Sequence, residues 1–163
     1  MKKLDNFVSC LAVLQKANFD LAGKDEIYRK GVLGQFNLVF ELAWKTLQEV
    51  LRLHGAEVSG SPREVLQKGY QYGFVNDEQI WLLMLKKRNT LVHIYDEEEA
   101  DEVIALIKGN FLPAMEILVD TLKKKLAEVI WLAQINMDRK RSGYSRGGNS
   151  TYYRRSVLLY CFF

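Results

Sequence analysis

The stretch Leu33–Val50, LGQFNLVFELAWKTLQEV, decides the fold. Its apolar residues recur at steps of three and four, which is the spacing of one face of an α-helix, and further apolar residues fall on the other faces. A helix that is apolar nearly all round is buried on more than one side. We therefore predict a long central helix over about residues 25–54, closed by Gly55 in the position where helices commonly end.

Helical periodicity and capping signals predict further helices on both sides of this central one. No run of strictly alternating polar and apolar residues indicates a strand. Short connections between long helices favour antiparallel neighbours, so the sequence predicts an all-α, up-and-down bundle of four or five helices. The other predicted helices run from about Leu4 to Leu21, from Ser61 to near Gly73, from Asn76 and Asp77 onward, and from Asp96 to about Leu126 with a kink at Pro113.

Composition excludes several other classes of protein. The chain has 163 residues, of which 48% are hydrophobic, and it contains two prolines, as expected for one compact domain with a real core. No apolar run approaches the ~18 residues of a membrane span, and no export signal follows Met1. Cys10 and Cys161 form no disulfide framework, and His54 and His93 lack metal-ligand spacing, so we expect a cytoplasmic protein with no membrane association, no metal and no cofactor.

The net charge of +3 conceals two unlike regions. Residues 1–138 carry 17 Lys and Arg against 20 Asp and Glu, whereas residues 139–163 carry six basic residues and no acid. We therefore predict a helical bundle domain over 1–138 and a basic tail over 139–163 that is disordered or foreign to the fold. An alternative interpretation is a nucleic-acid arm that uses Tyr144, Tyr152, Tyr153 and the neighbouring arginines.

The stretch after Trp81 carries the residues most suited to chemistry. At 100° per residue, Arg88 falls in the middle of an apolar stripe with Met84 and Leu91, where a guanidinium is costly unless it is paired. His93 projects about 140° away from Arg88 along a straight helix, so the two cannot converge on one small ligand. Either the helix is irregular here, or a second chain in an isologous dimer supplies the missing partner.

An arginine and a histidine together suffice for one particular reaction. The planar, always-charged guanidinium of Arg88 suits phosphate, and the imidazole of His93 suits proton transfer near neutral pH. The pair could cleave a phosphodiester without a metal, with a ribose 2′-hydroxyl as the internal nucleophile, which is chemistry open to RNA and closed to DNA. The alternative is a structural Arg88 paired with an acid such as Glu41, beside a half-exposed histidine. The R-x4-H spacing by itself does not decide between them.

The segment Phe36–Leu47, FNLVFELAWKTL, resembles the F-E-L-A-W-K hallmark of the nucleotidyltransferase substrate-binding family, within the HEPN superfamily. Several shorter motifs of that family recur in the same order, and the resemblance covers roughly residues 1–126. These motifs are Ser61-Pro62-Arg63-Glu64, Ile80-Trp81, Met84-Leu85-Lys86, Arg88-Asn89, His93, Tyr95-Asp96-Glu97 and Leu112-Pro113-Ala114.

The resemblance implies a HEPN-like, five-helix bundle that dimerises and works with a minimal nucleotidyltransferase. The chain lacks the G-S and D-x-D signature of that enzyme, so it is not itself the transferase. In one view of the family, the helical protein is an endoribonuclease toxin with an R-x4-H-x-Y motif, and the partner silences it by adding AMP to the tyrosine. Arg88, His93 and Tyr95 match that motif, Asn89 matches its polar residue, and Glu41 matches a supporting acid on the second helix. In the other view, the protein is a non-catalytic subunit that binds substrate for the transferase.

The sequence departs from the family pattern at Asn37, where an acid is common. Other conspicuous side chains have structural interpretations. We expect Trp44 and Trp81 to anchor the core or an interface, and His54 to interact with the dipole at the end of the central helix. Cys10 falls among apolar helix positions and is expected to be a buried small side chain.

Overall fold

A computed structural model describes residues 1–58, 60–91 and 97–141, with the backbone alone for 138–141. These residues form α-helices joined by short turns, one π-helical turn and no strand, which confirms the predicted all-α class. The helices are α1 (Lys2–Gln15), α2 (Phe19–Ala22), α3 (Glu26–Leu53), α4 (Pro62–Gln71), α5 (Glu78–Thr90), α6 (Glu97–Leu106) and α7 (Leu112–Arg141), and the π-helical turn is Ile107–Phe111.

The predicted central helix is α3, whose 28 residues contact α1, α2, α4, α5 and α6. It begins where the Asp25 carboxylate accepts a hydrogen bond from the Tyr28 N–H at 2.7 Å, which satisfies one of the unpaired donors of the first turn. It ends before Gly55, whose φ of +78° lies in the left-handed region that favours glycine. Both ends agree with the sequence prediction.

The prediction of a single first helix over Leu4–Leu21 was wrong. The chain leaves α1 after Gln15 and starts the short α2 at Phe19. Asn18 causes the break, because its side chain accepts from the Leu21 N–H at 3.0 Å and its own N–H donates to the Tyr28 hydroxyl at 2.8 Å. Asparagine commonly offers the backbone such an alternative to a continuing helix.

The last predicted helix is interrupted before Pro113. The π-helical turn ends as the Leu112 N–H donates to the Ile107 carbonyl, five residues back. Proline has no N–H, and inside a helix its ring clashes with the carbonyl four residues before it. The wider turn at Ile107–Phe111 is the kind of local irregularity that accommodates such a residue, so the predicted kink takes the form of a π-helical insertion.

Large aromatic side chains from several helices fill the core. The rings of Phe36 and Phe111 stack with centroids 5.5 Å apart, and those of Phe40 and Trp81 lie 6.3 Å apart. Such pairs stabilise a fold beyond the area they bury. Gly69 lets α4 approach α3 closely, since a Cβ there would come within 2.7 Å of Leu47 Cδ2.

The contacts divide the chain into two units, residues 1–127 and residues 128–163. The described part of the second unit is the end of α7, where Ile130, Trp131 and Leu132 are exposed. None of the described helices has the length and apolar character needed to cross a membrane. The tail residues Tyr144, Tyr152, Tyr153 and Cys161 lie outside the described residues, so the interpretation of 139–163 stays a prediction.

Candidate functional site

Arg88 lies in the last turn of α5. That helix begins where the Asp77 carboxylate accepts from the Ile80 N–H at 3.1 Å, and Trp81 and Met84 fix it to the core with fully buried side chains. One turn further along the same face, the Arg88 side chain keeps 32% of its surface exposed. The core thus anchors α5, and Arg88 lies where the apolar face meets solvent.

Three oxygen atoms hold the Arg88 guanidinium. Its Nε donates to Asn37 Oδ1 at 2.9 Å, its Nη2 lies 2.8 Å from Glu41 Oε1, and its Nη1 donates to Asn89 Oδ1 at 3.1 Å. The planar fork is therefore fixed in orientation by α3 on one side and by its own neighbour on the other. The guanidinium has more N–H donors than these three acceptors use, so it can still bind an anion.

A second cation shares the carboxylate of Glu41. Lys45 Nζ lies 3.1 Å from Glu41 Oε2, while Arg88 contacts the other oxygen. The five side chains Asn37, Glu41, Lys45, Arg88 and Asn89 thus form one connected cluster, called the Arg88 cluster below. It contains two positive charges, one negative charge and two neutral amides, so one positive charge is in excess. A half-exposed surface of this kind attracts anions.

Sequence reasoning placed Arg88, Asn89 and Glu41 in the site and missed the roles of Asn37 and Lys45. The spacing of Asn37, Glu41 and Lys45 was the available signal, because residues four apart lie on one face of a helix. Asn37 drew attention only as a departure from the family pattern. Its neutral amide oxygen accepts from Arg88 Nε, so Glu41 is the one acid of the cluster and one positive charge stays in excess.

The end of α5 is also tied to α6. Lys87 Nζ lies 2.7 Å from Glu102 Oε2, and the Lys87 side chain is largely buried at 15% exposure. The Thr90 hydroxyl donates to the Lys87 carbonyl at 2.8 Å within the last turn of α5. These contacts fix the two helices that flank residues 92–96.

Arg29 is a second arginine whose importance the sequence analysis missed. Its side chain is 8% exposed, its Nε donates to the Ala22 carbonyl at 2.9 Å, and it lies 3.1 Å from Asp101 Oδ1. Arg29 thereby connects α2, α3 and α6. The signal was its register, since Arg29 precedes Phe36 by seven residues and so falls on the buried face of the central helix.

His93 and Tyr95, the other two residues of the predicted motif, lie outside the described residues. Their predicted roles therefore stay predictions, as does the question of whether His93 converges with Arg88. Within the described ranges, no group of His, Cys, Asp and Glu side chains could hold a metal ion.

Of the remaining conspicuous side chains, the two tryptophans and His54 occupy the structural positions expected of them, and Cys10 does not. Trp44 and Trp81 are buried, as predicted for core anchors. His54 follows the last residue of α3, where its Nδ1 lies 2.9 Å from the Val50 carbonyl and its ring contacts Phe74 edge-on. Cys10 is only half-buried, less than expected.

Comparison with known proteins identifies relatives across most of the bundle. Residues 2–124 match the model of the family described as "Nucleotidyltransferase substrate binding protein like". The Haemophilus influenzae protein named "Probable ribonuclease HepT" is 25% identical over 99 residues, which are 58% of this chain and 67% of that protein.

Two solved structures share the fold. One, from Haemophilus influenzae, is described as the fold of a substrate-binding domain of a nucleotidyltransferase; it is 20% identical, has a TM-score of 0.61, and the match covers 74% of this chain and 98% of that one. The other, from Thermus thermophilus, is 25% identical with a TM-score of 0.56, and the match covers 76% of this chain and 98% of that one. Since the family model matches well over half of the chain, the protein belongs to the family of nucleotidyltransferase substrate-binding-like proteins.

Proposed function

We propose that this protein is a metal-independent endoribonuclease whose site contains Arg88 and His93. The observation that carries the proposal is the presentation of Arg88 within the Arg88 cluster, where a half-exposed guanidinium is oriented by three oxygens and retains unused donors. The likeness to the Haemophilus influenzae protein named as a ribonuclease supports the same activity. RNA is the substrate because the reaction needs a ribose 2′-hydroxyl.

Each residue has a separate task in this reaction. His93 takes the proton of the 2′-hydroxyl as that oxygen attacks the adjacent phosphorus, the bond to the 5′-oxygen of the next nucleotide breaks, and the leaving 5′-oxygen takes up a proton from water. Arg88 stabilises the negative charge that develops on the phosphoryl oxygens. Asn89 positions Arg88 through its contact with Nη1, and Glu41 fixes the fork from α3. The products are a 2′,3′-cyclic phosphate and a free 5′-hydroxyl.

We further propose that the active form is a homodimer in the cytoplasm. Arg88 and His93 are five residues apart, so on a continued α5 they point in directions about 140° apart. In an isologous dimer, the two copies of the segment meet at the symmetry axis, and each site can combine Arg88 of one protomer with His93 of the other.

The partner we propose is a minimal nucleotidyltransferase, with which this protein forms a toxin–antitoxin pair. The family description supports a relation to such an enzyme. The transferase transfers AMP from ATP to the Tyr95 hydroxyl and releases pyrophosphate. On a continued α5, residues 88 and 95 would share a helix face, so the phosphodiester of the AMP would occupy the phosphate position of Arg88. If protein carrying AMP on Tyr95 cleaved RNA as fast as the unmodified protein, this mode of silencing would be wrong.

The test of the ribonuclease is an RNA digestion in EDTA. Wild-type protein, shown by intact mass to be unmodified at Tyr95, is compared with His93→Ala and with the matched control His54→Gln. We expect EDTA-resistant cleavage by the wild type and the control, and its loss in His93→Ala by about 10²-fold or more, the usual contribution of a general base. Equal cleavage by wild type and His93→Ala would disprove the proposal.

The second candidate is a non-catalytic subunit that binds substrate for the nucleotidyltransferase. The ion pair between Arg88 and Glu41, at 2.8 Å, favours this second candidate, because a structural arginine without a catalytic role would form the same pair. If this second function is correct, the wild-type protein does not cleave RNA. It predicts that transferase activity on a small molecule rises when the protein is added, and that His93→Ala has no effect on that rise.

A further inference from the structure

We propose that Lys45 is a second phosphate-binding residue of the same site, and that Glu41 is an internal counter-ion which the RNA backbone replaces at Lys45 while Glu41 keeps its contact with Arg88. This inference rests on the proposed function and extends it from one cation to two. Lys45 and Arg88 contact the two oxygens of one carboxylate, at 3.1 Å and 2.8 Å, so they are neighbours on one surface although they belong to different helices.

The exposure of the three side chains fits this role. Lys45 is 50% exposed and Arg88 32%, whereas Glu41 between them is 23% exposed. Both cations are thus accessible to a ligand, and both contact the less exposed carboxylate of Glu41. An exposed pair gains little from its mutual attraction, so a phosphate can replace the carboxylate at Lys45 at small cost.

Trp44 restricts the position of Lys45. The ammonium lies 5.5 Å from the centroid of the indole ring, in the range of a cation–π contact, and the ring itself is buried. A lysine held by a ring and a carboxylate loses less freedom on binding RNA than one that is free in solvent.

The two cations contact different phosphates of the RNA. Arg88 is proposed to contact the phosphate that reacts, and Lys45 a neighbouring phosphate of the same strand. The described cluster provides only charge and amide contacts, so Lys45 contributes affinity that is independent of base sequence. Such a contact is measured by the salt dependence of binding, since each neutralised phosphate of a single strand releases counter-ions.

The experiment measures the affinity for a short fluorescein-labelled single-stranded RNA by anisotropy over a series of salt concentrations. All proteins carry His93→Ala, and a gel of the same samples records whether the RNA stays intact. Against this background, Lys45→Gln should make the plot of log affinity against log salt shallower by about 0.7, the value for one phosphate contact on a single strand. Lys45→Arg should restore the slope.

Lys30→Gln is the matched control. Lys30 lies on the same helix and forms the same type of pair four residues apart, with its Nζ 2.6 Å from Glu26 Oε1. The hydrogen bond from Lys30 lowers the pKa of Glu26. Its removal changes the net charge of the protein by the same amount as Lys45→Gln, and we expect no change in slope.

The outcomes separate this inference from the proposed function. An unchanged slope in Lys45→Gln, an equal change in Lys30→Gln, or no RNA binding would overturn the role of Lys45. A shallower slope in Lys45→Gln alone supports it, whatever the gel reveals about His93. Cleavage that persists in the His93→Ala background would overturn the proposed catalytic role of His93, and the salt slope would then be measured with single-stranded DNA of the same sequence, which lacks the 2′-hydroxyl and stays intact.

Discussion

Arg88 on α5 lies 2.8 Å from Glu41 on α3, Nη2 to Oε1, and the two residues are 47 positions apart in the chain. This contact connects the helix that precedes residues 92–96 to the central helix of the bundle. On the sequence alone, this Arg88–Glu41 pair is the contact expected if Arg88 has only a structural role. The pairing also suits catalysis, because a guanidinium that must stabilise a phosphoryl transition state benefits from fixed orientation.

Arg88→Lys keeps the positive charge and removes the fork. We expect RNA cleavage to fall about 10²-fold or more, in the range found when one donor to a developing charge is lost. The thermal melting temperature should change little, since the site is part-exposed. Lys86→Gln, two residues away on an exposed position, is the control and should cleave like the wild type. Full activity in Arg88→Lys would show that charge alone suffices.

Opposite charge changes next to Arg88 should have opposite effects on RNA binding. Asn37→Asp brings a second carboxylate to the Arg88 cluster and cancels its excess positive charge, so we expect weaker binding by about two- to fivefold, as for exposed ion pairs. Glu41→Gln removes the only acid of the cluster, so binding should tighten by a similar factor. Anisotropy at low salt, with both changes made in the His93→Ala background, measures both affinities, and shifts of the same sign would contradict the charge argument.

Although Glu41→Gln binds RNA more tightly, we expect it to cleave more slowly. The amide can still accept a hydrogen bond from Arg88, but the charge-assisted bond that fixes the fork is lost. Single-turnover cleavage at saturating protein isolates this effect from affinity. Faster cleavage by Glu41→Gln than by the wild type would mean that Glu41 restrains Arg88 and does not orient it.

Arg29→Ala should destabilise the fold without any direct contact to the Arg88 cluster. The substitution leaves the buried carbonyl of Ala22 without its donor and removes the link to Asp101. Leaving a buried acceptor unsatisfied costs about 1–3 kcal/mol, so we expect a loss of free energy of unfolding in that range or slightly above it. Lys30→Ala, at the adjacent exposed position, should lose no more than about 0.5 kcal/mol. Urea titration measures both.

Two glycine substitutions should have effects of opposite sign. Gly69→Ala places a Cβ within 2.7 Å of the buried Leu47 side chain and 3.1 Å of Val75, and overpacking of this kind costs about 1–3 kcal/mol. At Gly34 on α3, a Cβ meets nothing within 4 Å, so Gly34→Ala should gain about 0.5–1 kcal/mol from helix propensity. Similar melting temperatures for the two variants would contradict the close approach of α4 to α3.

Removal of residues 139–163 should leave the bundle folded. The buried residues of the described part of the chain end at Leu122, well before the tail. We therefore expect the thermal melt of a protein ending at Asp138 to coincide with that of the full chain, with the free energy of unfolding changed by no more than about 0.5 kcal/mol. A large drop in melting temperature would show that the tail belongs to the folded domain.

Helices with a strong apolar period could be predicted from the sequence. The places where a helix breaks or widens, at Asn18 and before Pro113, could not be predicted in detail. The bounds of α3 followed from its apolar spacing, Asp25 and Gly55, because helix ends are set by residues near in sequence. The break at Asn18 depends on the Tyr28 hydroxyl as well as on the cap, and that hydroxyl comes from the next helix. Likewise, proline at 113 predicted an irregularity, but the form it took depends on how the flanking turns pack.

The sequence by itself determined the all-α class, the central position of α3, the family and the choice of Arg88 as a residue of interest. Each of these follows from local spacing or from motifs that are contiguous in the chain. Only the tertiary structure decided that Asn37, Glu41 and Lys45 surround Arg88, and that Arg29 connects three helices. The physical reason is that helix periodicity fixes which face a residue occupies, whereas the neighbour across an interface depends on how far each helix slides and rotates during packing.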